Sequence, residues 1–392
     1  MRALNQILNN VLLVRLFWLG CQTLFGLLPV FIISTSLHYT FYSSTLLISY
    51  VAMSMLGLNG IANLRWARRP PSARRLKAYF LLLFICTALF LIVYVLAFKS
   101  DYLTALVLVS GVVGNFKTLG LSYLRNSTGN SVSLFMIKDS LVFLAGSLCL
   151  FIVDSELSLI ILLSVTFSGG IIFLLPYLLK AFSLSRLKLQ IRTINYLYLI
   201  LKSSAFLFFS SFFITYIPII SRSAVQYSQS EDYFIAFSVA LSIAINIQKV
   251  SLSYFWVLQK KYWSKVSRGI YLDENTTRLG SLIIGTCILI FLAQCLFDYL
   301  NTNLQFPLSL LAVSIMISFH RMSVSFYRLH LLTVMSVFDV LLNQVKLFSL
   351  TLLLVGGLHL LLGSSRLFLL YMACILLMDI LFVYHFPLKR RI

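Results

Sequence analysis

Twelve stretches of about twenty mostly apolar residues recur along this 392-residue chain, with only short polar connections between them. A stretch of that length crosses the roughly 30 Å hydrocarbon core of a bilayer as a helix, because each backbone amide must find its partner inside the segment. The limits are 11–34, 41–63, 78–98, 102–124, 134–153, 157–179, 199–220, 234–258, 280–298, 306–325, 331–355 and 367–386. Only the five residues Phe326 to His330 part the tenth segment from the eleventh, which leaves a merged or re-entrant pair open. Hydrophobic residues make up 60% and charged residues 11% of the chain, against the roughly 25% charged of a soluble domain. The pattern predicts an all-α integral membrane protein of about 12 transmembrane helices. Its first segment exceeds the roughly 7–15 residues of a signal-peptide core and contains Arg15, so it is expected to stay as a helix.

Lys and Arg number 31 against 11 Asp and Glu, a net charge of +20. A nucleic-acid binder would carry that charge on polar faces; here it is dispersed among 33 Phe and 20 Tyr, and the membrane explains it better. Cytoplasmic loops collect Lys and Arg. With the N-terminus inside, 22 basic residues fall on the inner side: Arg2, the runs from Arg65 to Lys77, Lys180 to Arg192 and Lys260 to Arg278, Arg125, Arg321, Arg328, and the tail from Lys389 to Arg391. Three, Lys99, Arg222 and Arg366, fall in outer loops. One helix more or fewer would scramble this alternation, which predicts both termini inside.

The longest hydrophilic stretches, 64–77, 180–198 and 259–279, are too short for a soluble domain, and no Gly-rich phosphate loop precedes a Lys-Ser/Thr pair. An ATP-hydrolysing module is therefore not expected. The six cysteines lie in apolar stretches without CxxC spacing, so no disulfide, no metal and no cofactor is expected, nor lipidation at Cys21. The basic run near the middle divides the segments six and six, giving an N-terminal bundle 1–179, a basic cytoplasmic linker 180–198 and a C-terminal bundle 199–392 with a short basic tail. Six is even, so both halves enter the membrane in the same direction, as a parallel repeat. Arg15 precedes Pro29 by 14 residues, and Lys202 precedes Pro218 by 16.

Charges inside the hydrocarbon cost roughly 2.5–3.5 kcal/mol each even on a lenient scale, and usually face protein or water. Ser238, Ser242, Asn246, Lys249 and Ser253 share one helical face, as do Ser336, Asp339, Asn343 and Lys346. Further stripes are Ser314, Ser318, Arg321 and Ser325, and Arg15, Trp18, Gln22, Gly26 and Pro29. Serine stripes by themselves suit interhelical hydrogen bonding. For Lys249 and Lys346 two roles are open: lining a wet cavity, or pairing with Asp339 or Asp379. Arg15, Lys117, Lys138 and Lys202 sit nearer inner ends, where snorkelling competes with a cavity role. Asp339 and Asp379, the deepest acids of the second half, suit either a coupling proton or a partner to those lysines. Asp139 is expected to pair locally with Lys138. The histidines fall near helix ends and read as interfacial. A cavity holding more cations than anions attracts polyanions, and lipid-linked diphosphates are polyanions on a greasy carrier.

The second segment and its loop read Leu56-Gly57-Leu58-Asn59-Gly60-Ile61-Ala62-Asn63-Leu64-Arg65, with Trp66-Ala67 where an acidic residue often follows. This pattern resembles the O-antigen and polysaccharide flippases of the multidrug/oligosaccharidyl-lipid/polysaccharide (MOP) exporter superfamily. Phe208-Phe209-Ser210-Ser211, Tyr216 to Pro218 and Asp232-Tyr233-Phe234 before a polar-striped helix are similar to that family's seventh and eighth helices. The resemblance implies two six-helix bundles in a V, like multidrug extrusion proteins, that rock about a central cationic cavity in the bacterial inner membrane. It implies an undecaprenyl-diphosphate-linked oligosaccharide as cargo, moved from the cytoplasmic to the periplasmic leaflet. Arg15, Arg65, Lys117, Lys249 and Lys346 would hold diphosphate or acidic sugars, and Asn246 and Asn343 sugar hydroxyls, with Asp339 or Asp379 for ion or proton coupling. The partners implied are membrane lipids, a polysaccharide polymerase and a chain-length regulator, with no nucleic acid. Trp18 would stack on a sugar ring or pack in the core.

Three rival readings remain. A small-molecule antiporter of the same superfamily would prefer an acidic cavity, whereas six buried bases here face three buried acids, Asp139, Asp339 and Asp379. A membrane polymerase or glycosyltransferase acting on lipid-linked sugars would carry a sizeable outer loop, and the longest expected here is 221–233. An integral acyltransferase would need a His/Asp or Arg constellation on one surface, and none is evident.

Overall fold

A computed structural model of the protein describes residues 11–55, 57–68, 72–97, 101–127, 129–183, 191–266, 276–300, 306–307 and 310–322. The helices among them are α1 Val11–Leu27, α2 Pro29–Ile32, α3 Thr35–Met53, α4 Leu58–Arg68, α5 Ala73–Ala97, α6 Tyr102–Ser127 and α7 Gly129–Cys149. After α7 come α8 Glu156–Gly169, α9 Leu175–Ser183, α10 Ile191–Ser228, α11 Glu231–Val266, α12 Thr276–Leu300 and α13 Leu310–Met322. No strand occurs among the described residues. Seven stretches are long and apolar enough to cross a membrane: Val11–Ile32, Arg75–Leu96, Tyr102–Arg125, Ser131–Ile152, Glu156–Phe173, Glu231–Leu252 and Ser281–Leu300. They match seven of the expected segments, and the protein is a helical, multi-pass chain. The expected segments 331–355 and 367–386 lie outside the described residues.

Two compact units partition the chain, Met1–Leu207 with Ser253–Trp263 and Phe208–Leu252 with Ser264–Ile392. In the first, Phe25 of α1 meets Phe41, Phe143 and Phe167 edge-on, with ring centres 5.8–6.0 Å apart. Such rings fill the seam between α1, α3, α7 and α8 while Leu89, Val93, Leu96, Leu148 and Phe151 remain exposed. In a membrane chain those outward apolar side chains suit lipid. Polar caps close the helix starts. The Ser155 and Ser158 hydroxyls each accept from the other residue's amide at the start of α8, a reciprocal capping box. At α6 the Thr104 amide donates to Asp101 Oδ1 at 2.8 Å, and bonds from the Thr104 hydroxyl and amide hold the Asp101 carboxyl below its ordinary value.

The second expected span, 41–63, is not one helix. It breaks between α3 and α4, where Gly57 adopts φ 77°, a left-handed conformation that costs other residues about 1–2 kcal/mol. The break exposes carbonyls that water would satisfy at a surface and that protein must satisfy inside a membrane. Asn115 of α6 donates to Val51 O at 2.8 Å and to Ser54 Oγ at 3.0 Å, and the Ser54 hydroxyl donates to Val51 O at 2.6 Å. Just beyond, the Ser122 hydroxyl donates to Asn59 Oδ1 at 2.5 Å, and Gly60 lies so close to Leu207 that a Cβ there would collide with its Cδ2. The glycine and asparagine pattern at 57–60 is thus a packed, capped helix break. Asn115→Ala is expected to cost about 1 kcal/mol, because the Ser54 hydroxyl still serves Val51 O. Thermal unfolding in detergent, beside the parent protein, checks this.

In the second unit the connection expected on the outer side is shorter than its sequence suggests. α10 runs to Ser228 and α11 begins at Glu231, so Gln229 and Ser230 replace the dozen-residue loop 221–233. Arg222 is correspondingly helical rather than in a loop. Its Nε donates to Ser238 Oγ at 3.2 Å and its guanidinium lies 5.9 Å from the Phe234 ring centre.

Candidate functional site

Charged side chains within the apolar helices are the groups with chemistry to offer, and each unit holds its own set. In the first unit Lys117 of α6 and Asp139 of α7 form a salt bridge, Nζ lying 2.9 Å from Oδ1 and 3.2 Å from Oδ2. Trp18 of α1 donates its indole N–H to Asp139 Oδ2 at 2.8 Å. The lysine side chain is 12% exposed and the aspartate 0%. Lys117 also lies 5.2 Å from the Phe143 ring centre. Both charged residues sit ten positions from the turn joining their helices, about 15 Å along the axis, the middle of a bilayer core. A carboxylate at that depth is tolerable because three hydrogen bonds from two donors, on two other helices, answer it.

The expected pairing of Asp139 with Lys138 does not occur. Neighbouring residues point about 100° apart around a helix, so Asp139 faces inward while Lys138 is exposed, its ammonium 5.5 Å from the Phe173 ring centre. Backbone completes the pocket around the carboxylate. α8 ends at Gly169, a 3₁₀ turn covers Gly170–Phe173, and a Cβ at Gly170 would collide with Asp139 Oδ1 and come 3.1 Å from Lys117 Cδ. Arg15 of α1 and Arg125 at the end of α6 lie within electrostatic reach of each other. Arg65 lies on α4.

In the second unit Lys249 Nζ donates to Asn246 Oδ1 at 3.4 Å, joining two members of the expected polar stripe of α11. Another member, Ser238, receives Arg222, and the Ser242 hydroxyl turns back to Ser238 O at 2.7 Å. Lys249 lies well inside α11, which runs from Glu231 to Val266. Arg321 of α13 donates to Gln248 Oε1 at 3.1 Å. Lys346, Asn343, Asp339 and Asp379 lie outside the described residues.

Gln248, Gln294 and the Lys117–Asp139 pair are the polar groups that stripe-by-stripe reading missed. For the pair a signal existed, since both residues are equally far from one short turn and adjacent antiparallel helices bring such positions to one depth. No group of three or more His, Cys, Asp or Glu side chains gathers among the described residues. Of the cysteines there, Cys21 and Cys86 are buried, Cys149 is exposed, and none is bonded to another. Set against known proteins, the chain matches no family model, no curated protein and no solved structure.

Proposed function

We propose that the protein is a flippase that carries undecaprenyl-diphosphate-linked oligosaccharide units, of O-antigen or another surface polysaccharide, across the bacterial inner membrane. One observation supports this above the others. Among the described residues, Arg15, Lys117, Lys138 and Lys249 stand three or more residues inside the ends of the apolar spans, against one carboxylate so placed, Asp139. Excess cation in a low-dielectric setting favours a ligand with several negative charges, and a diphosphate on a polyprenyl chain belongs in the bilayer where those charges are. In this reading twelve helices form two six-helix bundles with both termini cytoplasmic, and alternating access exposes the cargo to one leaflet and then the other. Lys249 and Lys346 hold the diphosphate, Asn246 and Asn343 bond sugar hydroxyls, Arg15 and Arg65 attract the head group at the cytoplasmic entrance, and Asp339 or Asp379 carries a coupling proton. A polysaccharide polymerase and a chain-length regulator take up the product.

Deleting the gene and following repeat units by periplasmic ligation tests the reading. Units stranded on the cytoplasmic leaflet are expected, and ligation at the full rate without the protein ends the proposal. Lys249→Ala and Lys346→Ala are each expected to lower ligation at least tenfold with normal membrane insertion. Normal transport by both variants removes these residues from the mechanism.

A further inference from the structure

Inside the second unit, three polar atoms are buried without a hydrogen-bond partner along one line of side chains between α11, α12 and α13. They are Gln248 Nε2, Gln294 Oε1 and Ser318 Oγ, on residues 0–1% exposed. Neither amide can be turned to relieve the problem. Gln294 Nε2 donates to Ala240 O at 2.8 Å, and a carbonyl only accepts; Gln248 Oε1 accepts from Arg321 Nη1 at 3.1 Å, and a guanidinium only donates. A buried acceptor and a buried donor are therefore left facing no protein group, and each would cost about 1–3 kcal/mol if dry.

Their spacing is regular. Ser314, Ser318 and Arg321 share one face of α13, and Ser314 accepts from Gln294 Nε2 at 2.6 Å. Gln294 and Ser314 meet α11 at Ala240, while Arg321 meets it at Gln248, two turns and about 12 Å further on. Ser318 falls between these two polar levels, about 6 Å from Ser314 and 4.5 Å from Arg321 along the axis. These rises are of the order of the about 5–6 Å that a water bonded on two sides covers.

We propose that this seam is a built hydration site holding two water molecules in file between Gln294 and Gln248 by way of Ser318. The first water donates to Gln294 Oε1 and to Ser318 Oγ. The Ser318 hydroxyl donates to the second water, which also accepts from Gln248 Nε2. Each orphaned atom gains a partner, no donor meets a donor, and the site takes neutral hydrogen-bonding ligands rather than a cation, because Arg321 ends the file. Its occupancy by water does not depend on what the protein transports.

The test uses the full-length protein in lipid nanodiscs. A density map at about 2 Å is expected to show two peaks at hydrogen-bond distance from Ser318 Oγ, one shared with Gln294 and one with Gln248. Ser318→Ala is expected to lower Tm, because it removes the central partner of both waters. An empty seam in the map overturns the proposal, as does a single peak ligated only by oxygens at about 2.3–2.6 Å, which marks a cation. An unchanged or raised Tm for Ser318→Ala also overturns it, since deleting a dry, orphaned hydroxyl stabilises.

Discussion

Asp139→Leu alone is expected to destabilise the protein by about 3–5 kcal/mol, because it leaves the Lys117 ammonium at mid-membrane with its counter-charge removed. Lys117→Met alone should cost a similar amount, since the carboxylate then keeps only the Trp18 indole N–H. The two changes together are expected to recover most of the loss. Desolvating both charges is expensive, and apolar side chains of similar volume avoid that cost altogether. Thermal unfolding of the four proteins in one detergent closes the double-mutant cycle, and a coupling energy below about 0.5 kcal/mol would show that the pair is not a unit. Trp18→Phe gives the smaller loss of one charge-assisted hydrogen bond, about 1.5–3 kcal/mol.

Gly170→Ala is expected to act through the same pair. The added methyl would occupy the place of Asp139 Oδ1, and the carboxylate cannot swing aside without leaving Lys117 and Trp18. Overpacking of this kind costs about 1–3 kcal/mol, and here the disturbed bond network adds to it. In the Lys117→Met, Asp139→Ala background the obstructing oxygen is gone, and the same glycine substitution should cost less than about 1 kcal/mol. An equal cost in both backgrounds would mean that the 3₁₀ turn at 170–173, not the carboxylate, demands glycine. Gly146 provides a control outside the pair, for its Cβ would approach Thr166 Oγ1 at 2.5 Å and Phe25 Cε2 at 3.1 Å in apolar packing between α7 and α8.

The two experiments measure stability and leave the transport reading to the ligation assay. They also separate the buried charges by role. Lys117 is matched by a carboxylate inside one unit, whereas Lys249 is hydrogen-bonded to the Asn246 amide of its own helix. A transport defect in Lys249→Ala with unchanged Tm, beside a stability defect in Lys117→Met, is the pattern expected if the first meets cargo and the second holds the fold.

Helix placement was legible because it depends on local chemistry. A run of twenty apolar residues has one way to satisfy its backbone in lipid, so the limits of Val11–Ile32, Tyr102–Arg125 and Ser281–Leu300 agree closely with the sequence reading. The break at Ser54–Gly57 was not legible in the same way. Met55, Leu56 and Leu58 carry the apolar run across it, and the break is stable because Asn115, from another helix, bonds the exposed carbonyl of Val51. The connection at Gln229–Ser230 was misjudged for a related reason, since a polar residue such as Arg222 reads as loop until Ser238 and Phe234 on the next helix are seen to receive it.

Charge partners mark the same division. Depth along the membrane normal follows from residue counts, and equal counts from a short turn already placed Lys117 and Asp139 at one level. Rotation about each helix axis follows from how whole helices pack, and a turn of 100° separates Lys138, exposed beside Phe173, from Asp139, enclosed by Lys117, Trp18 and Gly170. Composition and spacing by themselves determined that the chain is helical, membrane-embedded and basic. Which buried groups meet was decided only by tertiary packing, because contact between helices depends on azimuth as well as depth.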